Sequence, residues 1–161
     1  MQSKTHNMKH LYKVIQFGIE QYNICEDKKE KAGIKYGTKM LIRQIITKKL
    51  WSENALKVAQ ENNIPLDLDW YKQSRYDPGR KMLLMEHKNP LEEMWQKLIA
   101  EPDKTTSILD SENIIVWVTR EEDNKLTELG YRSKRPDSDK AYREAGIEIA
   151  FVAQLDRATD F

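Results

Sequence analysis

The stretch RYDPGRKMLLMEHKNP, Arg75 to Pro90, decides how the middle of this chain is read. Asp77-Pro78-Gly79-Arg80 places Pro and Gly at the central positions of a type II turn. An apolar strand from Lys81 to Lys88 follows and runs out on Glu86-His87-Lys88. Asn89-Pro90 ends it and opens a helix, since proline is favoured at the first helical position. Upstream, LDLDWYKQ (Leu66 to Gln73) alternates apolar and polar residues and carries aromatics, a strand pattern. Two strands around a tight turn predict a β-hairpin over about 66–73 and 81–88.

On the C-terminal side, Leu91, Met94, Trp95, Leu98 and Ile99 form the buried stripe of an amphipathic helix. IIVWV, Ile114 to Val118, is a continuous apolar run, expected of a strand covered on both faces. Thr119 is placed to cap a helix whose first turn carries Glu121, Glu122 and Asp123, where the helix dipole favours acidic groups. Leu126 and Leu129 face inward and Gly130 stops it. A short helix near Ala141 to Ala145 precedes a last strand, IEIAFV. On the N-terminal side, Leu11, Val14, Ile15, Ile19 and Tyr22 mark a first helix. CEDKKEKAG then reads as a charged mobile loop. A second helix over Thr38 to Leu50 carries Met40, Leu41, Ile45, Ile46 and Leu50, and Ser52 caps a third from Glu53 to Asn62. The predicted fold is α+β: one domain over residues 1–155, a small mixed sheet containing the hairpin, packed with amphipathic helices.

In the hairpin register set by the turn, Asp69 lies opposite Lys88 and Tyr71 opposite Glu86. Alternation along the strands puts Asp67, Asp69, Glu86 and Lys88 on one face at one open end. Two carboxylates from neighbouring strands can chelate Mg²⁺, and an adjacent lysine can help activate a metal-bound water and stabilise charge developing on a phosphate. His87 falls on the opposite, apolar face with Trp70 and Met85. The competing account makes Glu86-His87-Lys88 a strand end emerging into solvent, with Asp67 and Asp69 the wet side of an edge strand. A one-residue slip would turn Asp69 away.

The arrangement resembles the PD-(D/E)XK nuclease superfamily over Met40 to Val118: an Asp on a first strand, Glu-x-Lys on the second, then a crossover helix and a buried strand. The resemblance implies a metal-dependent nuclease in which Asp69, Glu86 and Lys88 act in catalysis. Asp69 and Glu86, with Asp67 as the alternative aspartate, would bind Mg²⁺. The tail VAQLDRATDF resembles a C-terminal segment of many bacterial reading frames that run into an adjacent tRNA gene, a setting that suits a mobile element or defence system. Residues 156–161 are expected to lie outside the packed domain.

The alternative is a non-enzymatic nucleic-acid- or protein-binding regulator. Helices 38–50 and 53–62 could form a helix-turn-helix. Arg132, Lys134 and Arg135, in a basic loop, are candidate phosphate contacts. The balance of 27 basic against 26 acidic residues, a net charge of +1, removes any global basic field, so a nucleic-acid partner would have to meet a local patch. The single cysteine, Cys25, excludes an intrachain disulfide and a cysteine-cluster zinc site. Charged residues at 33% and the absence of a long apolar run predict a soluble protein with no membrane partner, located in the cytoplasm.

Overall fold

The computed structural model describes residues 3–45 and 48–150. In chain order the helices and strands begin with α1 (Ser3–Ile24), α2 (Lys28–Ile42), β1 (Lys48–Trp51), α3 (Glu53–Glu61), α4 (Gln73–Tyr76) and β2 (Leu83–His87). They continue with α5 (Leu91–Ala100), α6 (Thr105–Glu112), β3 (Ile114–Thr119), α7 (Arg120–Glu128) and α8 (Ser138–Glu144). The class is α+β, with a small three-stranded mixed sheet. The described residues pack as two compact units, one within residues 3–48 and 89–114, the other within 49–88 and 115–150. Among the described residues no helix is long and apolar enough to cross a membrane.

The first unit is helical. Ile15 and Ile19 of α1, Ile42 at the end of α2, and Met94, Trp95 and Leu98 of α5 form its core with Leu109 of α6. The stripe expected of the α5 segment is therefore the buried one, and Pro90 stands at its N-cap. The charged loop expected over 25–33 is instead the start of α2. The Asp27 carboxylate accepts the N–H groups of Lys29 and Glu30, which nucleates the helix, and the lysines that follow lie on its wet side. α1 and α2 approach closely at Gly18, where an added Cβ would sit 2.4 Å from Thr38 Oγ1. The helix expected over 38–50 is also corrected: α2 ends at Ile42, where the buried Asn113 amide donates to the Ile42 and Ile45 carbonyls, and β1 follows. A strand between α2 and α3 rules out the helix-turn-helix.

The second unit holds the sheet, in the order β1-β3-β2. β3 is central, and Ile115 to Val118 are fully buried, as the unbroken apolar run requires. β2 pairs antiparallel with β3, Leu83 opposite Thr119 and Glu86 opposite Val116. Alternation then divides the core. Trp117 and Leu83 pack with Trp51, Ala55, Ala59 and Leu68 on one side; Val116 and Val118 pack with Leu126, Ala141 and Tyr142 on the other. Ser52 and Thr119 cap α3 and α7 as expected, Thr119 in a reciprocal capping box with Glu122. The last expected strand is represented by Ile149, bridged to Ser52; residues 151–161, including the tail, lie outside the described residues.

The hairpin is corrected. The Asp77–Arg80 turn forms, with Gly79 at φ +75° as the third position of a type II turn needs. It joins α4 to β2, however, and residues 70–72 form a 3₁₀ turn. Side chains occupy the edge a partner strand would have taken. The buried Gln73 amide donates to the Leu83 carbonyl at 2.7 Å, and the Asp77 carboxylate accepts from the N–H groups of Lys81, Met82 and Leu83 at 2.9–3.2 Å. Leu66 and Leu68 reach the core from a turn, held where the Trp51 indole donates to the Leu66 carbonyl.

Candidate nucleic-acid interface

The residues expected to make a nuclease site are dispersed among separate ion pairs. Asp69 follows the 66–68 turn and pairs with Lys49 at 2.6 Å; Tyr71 Oη donates to its other oxygen at 3.1 Å. The Lys49 hydrogen bond holds the Asp69 carboxyl below its ordinary pKa, against the opposing effect of burial. Asp67 is exposed. Glu86 has the parity of Leu84, which packs with Val116 and Val118, and it meets Arg135 there. Burial pushes the Glu86 pKa above its ordinary value, and the Arg135 charge offsets part of that rise. Lys88 pairs with Asp139 at 2.6 Å. The expected register, Asp69 beside Lys88, is not formed, because residue 69 is not in a strand. Among the described residues no group of three or more His, Cys, Asp or Glu is placed to hold a metal ion.

Arg135 is also corrected, from a phosphate contact to an internal tie. It is 3% exposed and donates to the carbonyls of Tyr131, His87 and Lys88 at 2.6–3.2 Å as well as to Glu86. Its guanidinium lies 5.7 Å from the Tyr142 ring centre. Arg132 and Lys134, in the same loop, remain exposed.

What the structure does bring together is a platform of aromatic rings and cations. Trp70 and Tyr71, at the 3₁₀ turn, are 46% and 61% exposed, their rings edge-to-face at 6.5 Å. Arg80 holds its guanidinium 5.4 Å from the Trp70 ring centre, and the Lys72 ammonium lies 5.4 Å from that of Tyr71. Arg75 lies 5.9 Å from the Tyr76 ring centre. Arg75 and Arg80 form no ion pair among the described residues.

The local sequence builds this geometry. Asp69 stays extended and its carbonyl accepts the Lys72 N–H, which closes the tight turn that turns both rings outward. Arg80 adopts a left-handed φ of +51°, fixed by its N–H to the Asp77 carbonyl and by the Arg120 guanidinium on its own carbonyl. Exposed aromatic rings, each with a cation over it, supply both the surfaces that stack bases and the charges that hold phosphates. The signal was present as Trp70-Tyr71-Lys72 with Arg75 and Arg80 downstream, but the strand assignment sent Trp70 inward. No family model, no curated protein and no solved structure matches this chain.

Proposed function

We propose that this protein binds single-stranded nucleic acid, with bases stacked on Trp70 and Tyr71 and the backbone held by Lys72, Arg75 and Arg80. The observation that carries the reading is the pair of adjacent exposed rings, each with a cation over it. A single strand suits it because unpaired bases offer their faces to a ring, and each stacked base contributes about 1–3 kcal/mol with little sequence preference. The near-neutral net charge is compatible, since the basic groups needed are local.

The chain carries its own reporter. Trp51, Trp95 and Trp117 are fully buried, so Trp70 is the one tryptophan open to a quencher. Titration with oligothymidylate or oligouridylate at low salt should quench tryptophan emission, and fluorescence anisotropy of a labelled strand should rise in parallel. Trp70→Ala with Tyr71→Ala should abolish both signals, while Arg132→Ala with Lys134→Ala should leave most of the binding. Absence of any anisotropy change with single strands at low salt would remove the reading. An Mg²⁺-dependent cut lost in Glu86→Gln would return the nuclease implied by the sequence resemblance.

A further inference from the structure

The two rings of the platform stand at right angles. Their planes are inclined at 88° and their centres lie 6.5 Å apart, the edge-to-face arrangement that neighbouring aromatic quadrupoles favour. Each ring is also held from outside the pair. The Tyr71 hydroxyl donates to the Asp69 carboxylate, whose other oxygen is fixed by Lys49 of β1 at 2.6 Å. The Arg80 guanidinium lies over Trp70, and the Arg80 carbonyl is held in turn by Arg120. The angle between the rings is therefore set by the fold around them.

That angle limits what the rings can hold. Neighbouring bases in a stacked strand lie nearly parallel, with a rise of about 3.4 Å. A base flat on Trp70 and its neighbour flat on Tyr71 would be inclined to one another as the rings are, at 88°. Two such bases cannot also stack on each other, so filling both rings opens the step between them. Ring–base stacking tolerates any base, so selectivity falls to the strand: steps that stack weakly, as in pyrimidine runs, lose least on opening. One cation stands over each ring, so charge is available on both sides of the opened step.

We infer that Trp70 and Tyr71 seat two neighbouring bases splayed across an opened step, an inference that rests on the single-strand reading above. The bound strand is kinked at the platform, and the substrate class is a single strand free to kink there. Circular dichroism of the strand reports the step, because its exciton signal arises between neighbouring stacked bases. The probe is tetra-adenylate, which is stacked in solution and sits at the lower end of single-strand site sizes, about 4–16 nucleotides. It has three base steps, so opening one should remove about a third of the adenylate signal at saturation, with anisotropy of a labelled strand establishing saturation. Tyr71→Leu and Trp70→Leu each leave one ring, and both side chains are exposed, so the fold is kept. Each variant should bind more weakly yet, raised to saturation, leave the adenylate signal whole. An unchanged signal on saturated wild-type protein, or a loss that persists in either variant, overturns the inference and leaves the platform standing. No binding of tetra-adenylate or of a longer oligouridylate at low salt overturns the platform and the inference together.

Discussion

Asp77 ties the turn to the platform, and its replacement tests both. The side chain is 1% exposed and accepts from three successive backbone N–H groups and from the Gln73 amide. Bonds to a charged acceptor contribute about 1.5–3 kcal/mol each, but they do not sum here. Lys81 is exposed, so water can replace its partner, and the Met82 N–H is shared between two oxygens at 3.2 Å. Leu83 is fully buried, and its N–H would lose its acceptor. Asp77→Ala should therefore cost about 3 kcal/mol, and Asp77→Asn, which keeps one acceptor oxygen, roughly half. Burial by itself would raise the Asp77 pKa, but the N–H groups of Leu83, Met82 and Lys81 and the Gln73 amide outweigh it and hold the carboxyl below 3.8. A depressed carboxylate contributes stability that is present above its unfolded pKa and lost as pH falls through the folded one. Urea unfolding of wild type and Asp77→Ala should thus show a gap that is full at neutral pH and narrows well below pH 3.8. Because the same turn places Arg80 over Trp70, Asp77→Ala should also weaken single-strand binding under conditions where it remains folded. A gap below about 0.5 kcal/mol, the usual range for surface changes, or one independent of pH, would refute the argument.

Three further outcomes follow from the packing and the charges. Arg135→Ala should cost about 3 kcal/mol in urea unfolding, because it removes a buried guanidinium and leaves half-buried Glu86 without its cation and three carbonyls without a donor, whereas Arg132→Ala and Lys134→Ala should each stay within about 0.5 kcal/mol. Gly18→Ala should destabilise by about 1–3 kcal/mol despite the better helix former, and adding Thr38→Ala should recover most of the loss by removing the oxygen that the new methyl meets. Single-strand affinity measured over a salt series should fall with a log–log slope of about −2, from roughly 0.7 per phosphate contact at Lys72, Arg75 and Arg80; a slope near zero would contradict phosphate contacts.

The sequence was most legible where one local rule operated without competition. The spacing of Leu91, Met94, Trp95 and Leu98 admits one periodicity, and Ile114 to Val118 is too short and too apolar for anything but a covered strand. The caps at Ser52 and Thr119 are local hydrogen bonds and came out as expected. Legibility failed where a remote partner decided. KKLW became a strand because β3 offers it an edge, and α2 stops where Asn113, some seventy residues on, takes its last carbonyls. The charge run after Cys25 misled because its composition suits a loop, while Asp27 supplies the cap that makes it a helix start. The segment of α6 carries no clean apolar stripe, and its buried Ile108 and Leu109 are adjacent in sequence.

The candidate site turned on whether Leu66 to Gln73 was a strand, and the alternation of Leu66, Leu68 and Trp70 argues for one. A strand there would have needed β2 to offer free backbone groups at Lys81 to Leu83. Asp77 and Gln73 lie within ten residues of that edge and satisfy those groups first, so the turn that suggested a hairpin also prevents one. Once the segment folds back, Leu68 still reaches the core but Trp70 does not, and its ring is left beside Arg80. Glu86, deprived of Asp69, finds its counter-charge in Arg135, which the sequence had offered as a surface cation. The exchange is coherent in charge terms: the basic residue expected outside is drawn in by a half-buried carboxylate, and the aromatic expected inside is turned out beside cations. Both changes move the potential for binding away from Glu86-His87-Lys88 and onto Trp70 to Arg80.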